Sequence, residues 1–272
     1  MKLTTGVHGV DAVMRERVCS VLQQIEAEHE VRVLFACESG SRGWGFASPD
    51  SDYDVRFLYV HKPAWYLRVE SPRDVIEKPI DAELDVCGWE WRKALGLLKR
   101  ANPTLIDWLD SPIVYRQHDG IMAQLHALSG RFFSAESARW HYLSMAQKNF
   151  RQYLQDDEVR LKKYFYVLRP LLAVRWIEAG KGAPPMRFDQ LLHGTVQDGP
   201  LLRDIAELLS VKQRAGEAEY GPRRPILHAF IRAELDRPTE ALPLAHSNRD
   251  SALLDALLFD TVMADFNVKE EI

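Results

Sequence analysis

The chain has 272 residues, 46% hydrophobic and 27% charged, and its 35 Lys and Arg against 39 Asp and Glu leave a net charge of −4. That length has room for two modest domains or one domain with a large extension, and the charge excludes a protein that is basic overall while leaving a local basic groove open. Three cysteines (Cys19, Cys37, Cys87), none in a CxxC pair, no long apolar run and no apolar signal core imply reduced thiols in a soluble, cytoplasmic protein without a membrane partner.

Asp11 can cap a helix in which Met14, Val18, Val21, Leu22 and Ile25 recur at helical spacing. Val31–Cys37 is short, apolar and rich in β-branched residues, so it reads as a buried strand. It runs into Glu38-Ser39-Gly40-Ser41-Arg42-Gly43-Trp44-Gly45, and Pro49-Asp50-Ser51 is a turn signal. A second strand is expected over 52–60, with Asp52, Asp54 and Arg56 on one face and Tyr53, Val55, Phe57 and Tyr59 on the other. Shorter strand pieces are expected over 65–69, 75–78 and 82–87, the last with Glu83, Asp85 and Cys87 on one face. Helices are expected over 88–101 and 104–109. Beyond about 116 strand alternation gives way to helical spacing, with helices near 119–129, 135–154, 159–179, 201–215, 224–235 and 250–266. Pro170 should kink or break the third of these. Linkers are expected at 180–185, 216–222 and 238–247. The whole reads as two domains, an α/β half over 1–115 and an all-helical half over 116–272.

The constellation that carries chemistry is Gly40-Ser41, ten residues, then Asp52-Tyr53-Asp54. A Gly-Ser turn after a buried strand lets backbone approach a ligand closely. A helix starting there would present free N–H groups to an anion such as a polyphosphate, with the Ser41 hydroxyl as a further donor and Arg42 as a positive charge. Two aspartates at i and i+2 on a strand point the same way, with Cα atoms ~6.5–7 Å apart. That spacing suits hard cations, and paired Mg²⁺ ions about 3.5–4 Å apart clamp the attacking and leaving oxygens of a phosphoryl transfer. Asp85 on a neighbouring strand is the natural third carboxylate.

Gly-Ser followed by Asp-x-Asp resembles the DNA polymerase β-like nucleotidyltransferase superfamily. The runs ESGSRGWGFASPDSDYDVRFLYV, ELDVCGWEWRKALGLLKRANPTLIDWLDSPIVY and KKYFYVLRPLLAVRWI together are similar to the predicted nucleotidyltransferase family also called the RNA repair pathway DNA polymerase β family. The resemblance spans roughly residues 8 to 266. It implies an α+β fold, a small mixed-sheet nucleotidyltransferase domain with flanking helices followed by an all-helical domain. It further implies that Gly40 and Ser41 hold the triphosphate of an NTP, and that Asp52 and Asp54 bind two Mg²⁺ ions, with Mn²⁺ as a substitute. Asp85 would match the carboxylate that helps activate the acceptor hydroxyl. Lysines of the helical domain reach the triphosphate in related enzymes, and Lys162 and Lys163, with Lys148 behind them, are the candidates.

Between Arg139 and Arg175 stand eight basic residues against three acidic ones, so a basic helical wall facing an acidic metal site is expected. The same charges could form an ordinary solvated helix face. Asp50 reads as a turn residue, Glu83 as either a residue supporting the ligands from behind or a surface group, and Glu38 and Arg42 as potential partners of each other. The tryptophans more often pack cores than stack bases. The G-x-x-G-x-G spacing is neither a Rossmann fingerprint nor a P-loop, and no histidine spacing suggests zinc. The expected activity is transfer of a nucleoside monophosphate from an NTP to an acceptor hydroxyl with release of pyrophosphate. An RNA end, a protein side chain and a small molecule are all open as acceptors, and so is the oligomeric state. The rival reading is a non-catalytic nucleotide- or RNA-binding scaffold or antitoxin-like partner.

Overall fold

The computed structural model describes residues 9–78, 83–214, 219–238 and 250–264. The N-terminal half runs α1 (Ala12–His29), β1 (Val31–Glu38), α2 (Gly40–Trp44), β2 (Tyr53–His61), α3 (Pro63–Tyr66), β3 (Val75–Glu77), β4 (Leu84–Glu90), α4 (Trp91–Lys99), α5 (Pro103–Leu109) and β5 (Val114–Gln117). It continues with α6 (Asp119–Phe132), α7 (Ala135–Tyr153), β6 (Glu158–Arg160), α8 (Lys163–Glu178), α9 (Phe188–Thr195), α10 (Gly199–Arg214), β7 (Tyr220–Pro222), α11 (Pro225–Asp236) and α12 (Ala252–Ala264). This is an α+β fold. Five strands form a mixed sheet in the order β3-β4-β2-β1-β5, in which only β2 and β4 run parallel, and β6 pairs with β7 in a separate two-stranded antiparallel sheet.

Local chemistry explains the element ends. The Asp11 carboxylate accepts from the Met14 N–H at 2.8 Å and caps α1, satisfying a donor that the first turn leaves open. Glu90 and Asn102 cap α4 and α5 in the same way. Four expectations need correction. Residues 63–66 form a short helix where a strand was expected at 65–69, because Pro63 pre-sets the first helical turn. The strand carrying Asp85 runs on to Glu90, so the next helix starts at Trp91 instead of 88. Residues 158–160 pair with β7, which delays α8 to Lys163. Helix α8 continues unbroken through Pro170. The expected linker over 238–247 falls almost entirely outside the described residues.

The chain divides into two compact units. One comprises Gly9–Gly40, Asp52–Phe133 and the C-terminal segment carrying α12, and the other comprises Ser41–Ser51 and the segment from Ser134 through α11. This division differs from a cut at 115, for a reason visible in the core. Met122, Leu125 and Phe132 of α6 and Leu254 and Leu257 of α12 are buried with Leu34, Leu58 and Trp91. Each such side chain contributes roughly 1.5–3 kcal/mol of burial, so α6 and α12 belong energetically with the sheet.

In the sheet unit, α1 covers one face. Met14, Val18, Leu22 and Ile25 pack with Val33, Val55, Phe57 and Tyr59. The opposite face carries Leu34, Leu58 and Val60 under α4, α5, α6 and α12. Asp54 and Arg56 share strand parity with Leu58 and Val60, so the polar start of β2 lies on this second face. The helical unit is organised round α8, whose Phe165, Leu168, Leu171 and Leu172 are buried against α9, α10 and α11. A helix apolar on all sides must be enclosed, which α8 is. Phe46 of the 41–51 loop joins this core, with its ring 4.7 Å from that of Phe165 and 5.4 Å from that of Phe188. Among the described residues no helix is long and apolar enough to cross a membrane, and Cys19, Cys37 and Cys87 are free thiols.

Candidate active site

The parallel register of β2 and β4 sets Asp54 beside Asp85 and Arg56 beside Cys87. The two aspartates are drawn to one point by Arg56. Its Nη2 donates to Asp54 Oδ1 at 2.9 Å and to Asp85 Oδ2 at 2.8 Å. Its Nη1 donates to the Asp85 and Val55 carbonyls at 3.2 and 3.1 Å, which fixes the guanidinium plane. Burial works against the Arg56 charge, but the Asp54 and Asp85 carboxylates outweigh it and hold the guanidinium above its ordinary range. Two carboxylates against one guanidinium leave a surplus of one negative charge in a partly desolvated place, where charges act more strongly than in water.

Asp54 is positioned from behind by Glu38, which is fully buried at the end of β1. Glu38 Oε1 accepts from the Asp54 N–H at 2.9 Å, and Oε2 accepts from the Tyr115 hydroxyl at 2.5 Å. The Ser111 hydroxyl donates to the Glu38 carbonyl at 2.6 Å. The Ser39 N–H donates to the Asp54 carbonyl at 2.8 Å, so the chain just before Gly40 is tied to the aspartate. Gly40 itself has φ +54°, and a Cβ there would fall 1.8 Å from Asp54 Oδ2. The close approach that the Gly-Ser turn provides is therefore made first of all to the Asp54 carboxylate.

The remaining expected residues are placed as follows. Asp52 immediately precedes β2 and is exposed. Asp54 and Asp85 come together, but among the described residues no group of three or more His, Cys, Asp or Glu side chains is arranged to hold a metal ion. Ser41 lies in α2, and its carbonyl accepts from the Phe46 N–H at 3.0 Å. Arg42 is buried, and its Nη2 braces its own loop by donating to the Ser51 carbonyl at 2.8 Å. Glu83 is exposed and pairs with Arg17 at 3.5 Å, as a surface group would. In the helical unit Lys162 precedes α8 and Lys163 opens it, with the Lys163 ammonium 4.0 and 4.6 Å from the ring centres of Tyr153 and Tyr166. Lys148 and Arg151 line an open groove on α7. Other members of the basic stretch have structural partners. Arg139 and Arg169 are buried, and Arg169 Nε donates to the Met186 carbonyl at 3.3 Å.

Within the sheet unit a cleft of about 750 Å³ runs along one face of β4, lined among others by Arg56, Lys78, Asp85, Cys87, Trp89 and Trp108. Sequence reasoning placed Arg56 on the face of the aspartates but missed that it would bridge them. It considered Glu38 only as a potential partner of Arg42. The available signal was a carboxylate closing an otherwise apolar buried strand, which demands a partner.

With this geometry in view, comparison with known proteins gives three findings. The model of the RNA repair pathway DNA polymerase beta family matches residues 14–260. The chain is 45% identical over 251 residues to the uncharacterised protein YcgL of Bacillus subtilis (strain 168), covering 92% of this chain and 96% of that protein. The crystal structure of a nucleotidyltransferase-like protein from Exiguobacterium sibiricum 255-15 matches at a TM-score of 0.31 and 13% identity, over 92% of this chain and 76% of the other. A likeness that loose carries no argument here.

Proposed function

The chain belongs to the RNA repair pathway DNA polymerase beta family, and from that premise we propose that it is a metal-dependent nucleotidyltransferase moving a nucleoside monophosphate from an NTP to an acceptor hydroxyl. The observation that supports this most is the convergence of Asp54 and Asp85, from adjacent parallel strands, on a single cationic group. Carboxylate oxygens are the donors that hard divalent cations prefer, and two of them already face one positive centre, so these residues fit Mg²⁺. Asp54 and Asp85 would hold it together with Asp52, two residues from Asp54 along the chain. Bound there, the metal would neutralise charge on the phosphates and acidify the acceptor hydroxyl.

The chain's own residues have separate tasks. Gly40 and Ser41 bring backbone and a hydroxyl close to the triphosphate. An Asp85 carboxylate oxygen takes the proton of the acceptor hydroxyl. The acceptor oxygen then bonds to the α-phosphorus as the bond to pyrophosphate breaks. Glu38, by fixing the Asp54 backbone, keeps that carboxylate in place, and preorganised charge supplies most of the rate. An RNA end is the acceptor that the family description favours.

One observation favours a second reading. Arg56 already satisfies both carboxylates, as it would in a nucleotide-binding module that performs no chemistry. Incubation with each radiolabelled NTP, Mg²⁺ or Mn²⁺, and RNA or small acceptors separates the two. Label transfer by the wild type, lost in Asp54→Asn, supports the transferase. Nucleotide binding without transfer by the wild type in any combination overturns it and leaves the binding module.

A further inference from the structure

Strand β4 alternates strictly. Leu84, Val86, Gly88 and Glu90 are buried, while Asp85, Cys87 and Trp89 are half-exposed on the face that opens into the 750 Å³ cleft. Trp89 thus stands four residues from Asp85 on the same face, ~13 Å away along the strand. Its ring stacks on that of Trp108, with centroids 3.8 Å apart and planes 27° from parallel. Trp108 is only 3% exposed and sits in the core with Leu105 and Leu109. Trp89 is therefore the outer leaf of an aromatic stack whose inner leaf is anchored. Compare Trp91, two residues on, which is fully buried and serves packing alone.

A fixed, half-exposed indole in a cleft that also holds Asp85, Arg56 and Lys78 offers a π face to a planar heteroaromatic ring, with charge at the other end. We infer that Trp89, backed by Trp108, is a nucleobase-stacking platform of this cleft. The inference rests on the nucleotidyltransferase reading and names the part of the ligand that this wall recognises. The ~13 Å span is longer than the distance from a base to its own ribose hydroxyl and suits a nucleotide whose phosphate chain lies toward Asp85 while its base reaches Trp89. Stacking is tolerant of base identity, since every base has a π face, so the platform sets affinity more than sequence preference. Two sources offer the same chemistry: the base of the incoming NTP, and the terminal base of an acceptor strand.

The test is calorimetric titration of the intact chain in Mg²⁺ with each NTP, with an RNA trinucleotide ending in a 3′ hydroxyl, and with inorganic tripolyphosphate. Wild type, Trp89→Leu and Trp89→Phe are compared. Trp89→Leu is expected to weaken NTP or trinucleotide about tenfold or more, Trp89→Phe to recover most of that, and tripolyphosphate to be unaffected. The ligand that weakens identifies the source of the base. Nucleotide should also quench wild-type tryptophan fluorescence, a measurement that needs no variant to fold. Equal nucleotide affinity in wild type and Trp89→Leu, or binding without quenching, overturns the platform while the transferase reading stands. No nucleotide binding by the wild type overturns both.

Discussion

Replacing Gly40 by alanine tests whether this glycine exists for the Asp54 carboxylate. At φ +54° any L side chain is strained, which costs about 1–2 kcal/mol. The new Cβ would sit 1.8 Å from Asp54 Oδ2 and 2.7 Å from its Cγ, far inside van der Waals contact. The carboxylate must swing away, and Oδ1 then loses its 2.9 Å hydrogen bond to Arg56. That bond is partly solvated, with side chains 18% and 28% exposed, so it contributes about 1 kcal/mol. The expected loss in urea unfolding is therefore about 2–3 kcal/mol. The second part depends on the Asp54 side chain. In an Asp54→Ala background Oδ2 and Cγ are gone, and the only Asp54 neighbour left near the new Cβ is the Asp54 Cβ, at 3.2 Å. There Gly40→Ala should cost only the backbone strain, so a double-mutant cycle should return a coupling of about 1 kcal/mol. If the two losses add within the error of the cycle, Gly40 is required for its backbone angle alone and the argument from close approach fails.

Removing the bridge is the complementary experiment. Arg56→Met leaves Asp54 and Asp85 facing each other without a counter-charge, so it should lower stability by about 1–3 kcal/mol in chelator and gain more Tm from added Mg²⁺ than the wild type does. Equal Mg²⁺ responses would show that the two carboxylates are not a cation site. Gly88 faces Phe57 across the β2–β4 pair, and a Cβ there would meet the ring at 2.2 Å. Gly88→Ala should destabilise by about 1–3 kcal/mol from overpacking, a loss that the smaller ring site of a Phe57→Leu background should relieve. His61 stacks on Trp65 at 4.2 Å, and burial, aided by Arg68, lowers its pKa to about 4. A depressed pKa means the folded state favours neutral imidazole, so this contribution is complete above about pH 6.5 and is lost as pH falls toward 4. Thermal unfolding of wild type against His61→Phe should show the wild type losing about 2 kcal/mol more between pH 7.5 and 4.5, and parallel curves would contradict the assignment.

Much of this site was legible because its residues are fixed by strand parity. Asp54 and Arg56 share a face whatever the tertiary context, and the buried run 31–37 announced the strand that ends at Glu38. The Arg56 bridge was not legible, because parity sets the direction of a side chain but not its rotamer or its partner across a parallel register. Asp52 shows the opposite limit. Its spacing is right, but it stands just outside the strand, where parity no longer governs it. Strand β5 was missed because four residues, VYRQ, become a strand only through pairing with β1. The strand expected at 65–69 failed because two bulky aromatics outweighed the helix-starting signal of Pro63.

The interleaving of the two units has a consequence for synthesis on the ribosome. The chain enters the helical unit at Ser41, leaves it at Ser51 and returns at Ser134, and α12 of the sheet unit comes only at the end. When residues up to Phe133 have emerged, Leu34, Leu58 and Trp91 still lack the cover that Leu254 and Leu257 provide. Phe46 likewise waits for Phe165 and Phe188, more than a hundred residues later. The sheet unit cannot complete its core before the helical unit has been made, so the usual order of N-terminal domain first does not apply. The nascent chain carries a sheet face only partly covered, by α4, α5 and α6, until α12 appears. That late cover is a reason to expect the sheet unit to be the slower of the two to fold during synthesis.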